Sequence, residues 1–324
     1  MPSKSAKRVG AQTALVTGGA GGIGHHLVAS LREKGWRVRV VDNFSAGKRE
    51  NLAKFSNDPD VEVIEMDVLD LEAIKKACKG IDFVWHLSAN ADIQKGTKET
   101  DLDLRQGPIA TRNVLEAMRI NDVKKIAFSS SSVIYGYPKV FPTPEDYAPL
   151  LPESLYGASK LACEGLISSW AYTFDFQGWV FRFANVVGPG ATHGVIYDFI
   201  NKLKRDPTRL EILGNGHQAK GYLWVTDCVE SMIHCTKKSS GKVNAFNLAP
   251  TDTISVAEIG ELVLELTGSK ARIEYTGGER GWAGDIPQQK LSIEKLKATG
   301  YVPKYNSRES VRMAISVLKQ ELSG

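Results

Sequence analysis

The chain has 324 residues, 42% of them hydrophobic and 24% charged, and a formal charge of +4. That composition suits an ordinary soluble protein with a full core, and no internal repeat or low-complexity segment interrupts it. The small basic excess is spread out, and its densest stretches, Lys4 to Arg8 and Lys202 to Arg209, lack interleaved aromatics, so neither nucleic acid nor membrane is expected as a partner.

Residues 1–12 are polar and read as a flexible tail, not a secretory signal, and no later run approaches transmembrane length. Thr13–Val16 reads as a short buried strand, followed by a glycine turn at 17–24 and an amphipathic helix from about Ile23 to Lys34. Arg37–Val41 alternates like a strand and ends at Asp42. Val61–Ile64, Phe83–Leu87 and Lys125–Phe128 continue the series, with helical patterns near Leu71–Cys78 and Thr111–Met118. A helix carrying Leu155, Leu161, Ala162, Leu166 and Ile167 on its apolar stripe precedes the strand Trp179–Arg182. Repeated strand–helix units predict an α/β fold, a doubly wound parallel sheet with helices on both faces.

Beyond Gly188, the breaks at Pro189-Gly190, Gly214-Asn-Gly216 and Gly277-Gly278 predict loops and short elements. Trp224–Cys235 still reads as a helix and Asn244–Leu248 as one more sheet strand. The expected division is a dinucleotide-binding domain over 13–188 and a smaller, interleaved lobe over 189–324, from which about 223–248 returns to the sheet. Cys78, Cys163, Cys228 and Cys235 form no CxxC pair and read as buried thiols in a reducing cytoplasm. His25 and His26 would leave a helix in different directions, and no metal site is expected.

Thr17-Gly-Gly-Ala-Gly-Gly-Ile-Gly24 satisfies both GxxGxxG (Gly18, Gly21, Gly24) and GxGxxG (Gly19, Gly21, Gly24). Between a strand and a helix, such glycines allow a tight turn and let backbone N–H groups reach a pyrophosphate. Asp42, ending the next strand, suits both ribose hydroxyls and would repel a 2′-phosphate, which favours NAD over NADP. Lys48 and Arg49 follow closely and could face a phosphate. The candidate cofactor contacts lie along the carboxyl edge of the sheet: Gly18, Gly21, Gly22, Ile23, Gly24, Asp42, Asn43, Asp67, Val68, Leu87, Ala89 and Lys160. Asp67 reads equally well as an adenine contact or as a cap for the helix starting at Leu71.

Tyr156 lies four residues before Lys160, one helical turn away on the same face. A nearby ammonium favours the phenolate and is expected to lower the tyrosine pKa toward neutrality. Tyr135 and Lys139 repeat the spacing, but Pro138 stands between them and argues against a helix. Ser129–Ser132 ends the fifth strand at the same edge, where a hydroxyl can hold a substrate oxygen beside Tyr156.

Together these residues resemble the extended short-chain dehydrogenase/reductases, and within them the nucleotide-sugar 4-epimerases, over nearly the whole chain. The markers are the glycine turn, Asp42-Asn-Phe-Ser-Ala-Gly-Lys-Arg-Glu-Asn-Leu52, His86-Leu-Ser-Ala-Asn90, Ser130-Ser-Ser-Val-Ile-Tyr-Gly136, Tyr156-Gly-Ala-Ser-Lys160, Arg182-Phe-Ala-Asn-Val-Val-Gly188, and Arg280 with Gly284-Asp285. The resemblance implies Ser131, Tyr156 and Lys160 as catalytic residues. It also implies a nucleotide-sugar substrate, most simply a UDP-hexose, held by Ser131, Asn185, Lys220 and Arg280.

Three departures stand out. Lys220, in Gln218-Ala-Lys220-Gly-Tyr222, stands where the family commonly has arginine. Gly107 stands where it usually has an asparagine four residues before Thr111. Gln289 falls near a position whose side chain varies with the pocket, although Trp282 and Ala283 lengthen the segment before it. The resemblance further implies a homodimer built from helices around Thr111–Met118 and Tyr156–Tyr172. The expected activity is NAD-dependent inversion at C4 of a nucleotide-linked hexose through a 4-keto sugar. The alternatives are an NAD(P)-dependent nucleotide-sugar reductase or dehydratase and, in another class, a catalytically silent NAD-binding regulator.

Overall fold

The computed structural model describes residues 11–90, 92–281 and 285–323. Its centre is a seven-stranded parallel sheet: β1 (Thr13–Thr17), β2 (Arg37–Asp42), β3 (Val61–Glu65), β4 (Phe83–His86), β5 (Lys125–Ser131), β6 (Gln177–Phe183) and β7 (Val243–Leu248). The order across the sheet is β7-β6-β5-β4-β1-β2-β3. Registers such as Val16↔Val40, Val16↔Trp85 and Ser131↔Phe183 run parallel throughout.

Near-continuous apolar runs are what a strand needs when both its faces are covered. Ala14, Val16, Val38, Val40, Trp85 and Phe181 pack on one face, under α1 (Gly24–Glu33) and the helix Val225–Lys238. Leu15, Val41, Val84, Ile126, Phe128 and Val180 pack on the other, under α2 (Leu71–Ala77), α3 (Ala110–Ile120) and α4 (Leu155–Thr173). Each strand therefore serves two cores by simple alternation. The sheet reverses its build direction between β1 and β4, which opens a crevice at their carboxyl ends.

The second half is more regular than its glycines suggest. Helices Val195–Arg205, Val256–Thr267 and Ser307–Ser323 enclose a third core that includes Ile196, Phe199, Ile212, Leu262, Val263 and Ile315. The glycines sit between these helices, not inside the two outer ones. A capping box opens the middle helix, with Ser255 and Glu258 each bonding the other's backbone, and Gly268 closes it at φ +74°. Among the described residues no helix is long and apolar enough to cross a membrane.

Candidate active site

Gly18 follows β1 at φ +69°, and a Cβ there would lie 2.8 Å from the Ser88 backbone nitrogen. Both facts demand glycine. A Cβ on Gly24 would collide with the Gly18 carbonyl, so the turn closes tightly onto the start of α1. That helix begins at Gly24, one residue after the expected start, with no side-chain cap and no acidic residue in its first turn. Its positive end is left to an anion from outside the helix, which is what a pyrophosphate requires.

Asp42 is buried and accepts from Ala20 N at 2.9 Å and Phe44 N at 2.8 Å, tying the end of β2 to the glycine turn. Each carboxylate oxygen keeps a further lone pair for a ribose hydroxyl, so the residue fits NAD while also holding the turn's shape. Arg49 is engaged by Glu65 at 2.5 Å and lies over the Phe44 ring, so its charge is matched within the protein. Asn43 donates to Asp67 at 2.9 Å, and Asp67 also accepts from Leu69 N at 2.9 Å. The helix-cap reading of Asp67 fails: Asp70 caps α2, accepting from Ala73 N at 3.0 Å, because it stands directly before the first helical residue. Val68 is buried beside Asp67, while Leu87 and Ala89 are half-buried past β4. Gly21, Gly22 and Ile23 complete the turn.

At the other end of the crevice, Ser131 is the last residue of β5, and its hydroxyl lies close enough to the Tyr156 phenol to favour the phenolate. Tyr156 occupies the first turn of α4, which Ser154 caps by accepting from Gly157 N at 3.0 Å. Lys160, one turn on, is buried, with its Nζ 5.6 Å from the Tyr156 ring and 4.8 Å from the Phe128 ring. Its ammonium donates to the Ser129 carbonyl at 2.7 Å.

The expected lowering of the Tyr156 pKa is not what this geometry produces. Burial raises it, and the nearby Ser131 hydroxyl offsets only part of that rise, since Lys160 is directed at Ser129. Burial also brings Lys160 down to about 8, against the nearby Cys163, Asp103 and Glu164.

Beneath the site, His86 hydrogen-bonds Thr17 Oγ1 at 2.8 Å and Thr111 Oγ1 at 3.1 Å, and Thr111 reaches the Cys163 sulfur at 3.2 Å. This chain links β1, β4, α3 and α4. Burial holds His86 neutral, down to about 3, with Lys160 adding to the effect. Tyr135, set aside on sequence grounds, is a core strut: its hydroxyl accepts from Arg182 and donates to Asn247, each at 2.8 Å.

Gly107 also acquires a physical reason. It lies in a π-helical turn, Arg105–Ile109, that contains Pro108, and a Cβ there would meet Ser159 at 3.1 Å. The close approach to α4 excludes an asparagine unless Ser159 moves.

The lobe supplies the remaining candidates. Asn185 donates to the Gly221 carbonyl at 3.2 Å, at the start of the parallel pairing of Asn185–Val187 with Tyr222–Trp224. Lys220 is ion-paired to the buried Asp285 at 2.7 Å, and Gln289 is its register partner in the neighbouring short strand. Arg280 is exposed and paired to Glu153 at 2.7 Å, which joins the lobe to the residue before the α4 cap. Trp282, Ala283 and Gly284 lie outside the described residues. Ser131, Tyr156 and Lys160 are thus brought together, whereas Asn185 and Lys220 engage partners in the lobe and Arg280 engages Glu153 beside α4. Sequence reading missed Glu153, Glu164, Asp103 and the His86 chain. Glu164 had a usable signal, standing four residues after Lys160 on the same helix.

The fold and this edge arrangement define a nucleotide-dependent enzyme of the extended short-chain dehydrogenase/reductase class. The chain belongs to the NAD dependent epimerase/dehydratase family, whose model matches residues 14–249. It is 28% identical over 311 residues to a putative UDP-glucose 4-epimerase of Methanocaldococcus jannaschii, covering 94% of this chain and 98% of that one. It is 30% identical over 301 residues to a UDP-N-acetyl-alpha-D-glucosaminuronate decarboxylase of Bacillus cytotoxicus, covering 87% and 90%. Among solved structures, a UDP-galactose 4-epimerase superposes with a TM-score of 0.87 at 38% identity, covering 96% of this chain and all of that one.

Proposed function

We propose that the protein inverts C4 of a nucleotide-diphosphate hexose, most simply converting UDP-glucose and UDP-galactose into each other through a transient 4-keto sugar. The observation that carries this is the meeting of the Ser131 hydroxyl and the Tyr156 phenol, one turn from Lys160, at the carboxyl edge of the sheet. The glycine turn, Asp42, Asn43, Asp67, Val68, Leu87, Ala89 and Lys160 would hold NAD, which would supply reversible hydride acceptance at C4.

Tyr156 removes the C4 hydroxyl proton and later gives it back. Ser131 donates to the same oxygen as it becomes a carbonyl. Lys160 favours the phenolate once its ammonium is shared between Ser129 and the reacting end of the crevice. Asn185, Lys220 and Arg280 grip the diphosphate, for which Lys220 must divide its charge between phosphate and Asp285. The decarboxylase among the relatives makes elimination or decarboxylation the competing reading. It is disfavoured because Ser132, Val133 and Ile134, beside the catalytic hydroxyl, supply no carboxylate.

The test is incubation with UDP-glucose, UDP-galactose, their N-acetylated forms and UDP-glucuronic acid, followed by chromatography. The expected result is interconversion of C4 epimers without bulk NADH absorbance. Stoichiometric NADH change or a pentose product would overturn the proposal. The rate should fall as pH rises through about 8, where Lys160 gives up its proton; a flat alkaline limb would remove Lys160 from its role.

Exposed apolar side chains on α3 and α4, namely Ile120, Leu155 and Tyr172, support a homodimer through these helices. Sedimentation as a monomer at micromolar concentration would reject it. Four buried free thiols are compatible with the proposed cytoplasmic setting.

A further inference from the structure

Asp103 lies in the short helical segment Leu102–Leu104, ahead of the π-helical turn, and is only 2% exposed. One carboxylate oxygen accepts from Asn90 Nδ2 at 2.9 Å. The other has no hydrogen-bond partner among the described residues, although a buried carboxylate normally has one. It fits because it presses against Gly96, where any Cβ would collide with it. The segment packs on α4, the helix that carries Tyr156 and Lys160, which puts the carboxylate within electrostatic reach of both.

Burial pushes Asp103 toward its protonated form, while the Asn90 hydrogen bond and Lys160 oppose that push. The groups whose charge or hydrogen bond bears on it are Tyr156 and Lys160 on α4 and Asn90 and Asp92 on the loop after β4, with Asp92 the only like charge among these. A half-satisfied buried charge beside a catalytic pair has no evident packing purpose.

We propose that Asp103 is a positioning residue for the Tyr156–Lys160 pair: its buried carboxylate holds the ammonium on Lys160 and the proton on Tyr156, and so sets the pH range in which the pair exchanges a proton with a sugar hydroxyl. The proposal rests on the C4-inversion reading for its purpose, but its electrostatics can be measured without any substrate. A negative charge near an ammonium stabilises the charged form, and near a phenol it stabilises the neutral form. Removing it lowers both proton affinities and moves the working range toward acid.

The deciding measurement is a titration of the NAD-loaded protein labelled with 13C at lysine Cε, followed by NMR, with the Lys160 signal assigned from Lys160→Met. The Lys160 midpoint is expected to fall by about half a unit or more in Asp103→Asn. Asp103→Glu is expected to restore it. An unchanged or higher midpoint in Asp103→Asn overturns the proposal, and if that variant does not fold, Asp103→Ser, which leaves free space, is read in the same way. The alkaline limb of turnover with UDP-glucose should shift in the same direction and by a similar amount. If the wild-type protein turns over neither UDP-glucose nor UDP-galactose, the C4-inversion reading fails while the lysine titration still decides the role of Asp103.

Discussion

Tyr156→Phe is expected to lower C4 inversion by about 10²- to 10⁴-fold, the range that one positioned acid–base group contributes. The variant keeps the ring and its place in the first turn of α4, so the loss isolates the phenol oxygen. Burial makes that phenol a poor base in the protein alone, and among the described residues Ser131 is the group that counters burial. The proposed mechanism therefore requires the Lys160 ammonium to move off its bond to the Ser129 carbonyl far enough to favour the phenolate. NAD content should be unchanged in Tyr156→Phe, because the glycine turn and Asp42 stand at the other end of the crevice. Turnover of UDP-galactose to UDP-glucose, together with NAD released on denaturation, measures both. A variant within about tenfold of wild type would remove Tyr156 from the acid–base role.

The sheet was legible because its strands are short apolar runs with a period the chain cannot hide. Leu15 and Val84 face one core while Val16 and Trp85 face the other, so the middle of such a strand is apolar on both sides. The glycine turn and the Tyr156–Lys160 spacing are local and survive any tertiary context. What escaped depends on contacts between distant segments. The Tyr156 pKa follows from burial by neighbours, not from a charge one turn away. The absence of a side chain at Gly107 follows from Ser159, more than fifty residues on. The lobe helices were obscured by the glycines between them, although the Ser255–Glu258 capping box marked one start in plain view. Arg280 and Lys220 were read as diphosphate ligands, and their carboxylate partners, Glu153 and Asp285, could not be paired from sequence distance alone.

Glu164→Leu is expected to destabilise the fold by about 3–5 kcal/mol, because it breaks a buried ion pair from one side only. Arg182 offers its Nε and Nη2 to the two Glu164 oxygens at 3.1 and 2.8 Å, with side-chain exposures of only 7% and 10%. Burial opposes the Arg182 charge, but the Glu164 hydrogen bonds and charge outweigh it and raise the arginine pKa. Without Glu164, the guanidinium keeps Tyr135 OH and the Glu145 carbonyl, two neutral acceptors for a charge still out of water. Ser130 Oγ, which donates to Glu164, loses its partner in the same step, directly beside Ser131. Denaturant unfolding measures the loss, and a change below about 1 kcal/mol would mean that water reaches Arg182 and that the pair is not buried in solution. Glu164→Leu combined with Arg182→Met separates charge from shape: the double variant should recover most of the stability, since an apolar pair of similar volume often matches a buried ion pair. Turnover in that double variant should stay below wild type, because Ser130 remains without its acceptor and the end of β5 carries the hydroxyl on which Tyr156 depends.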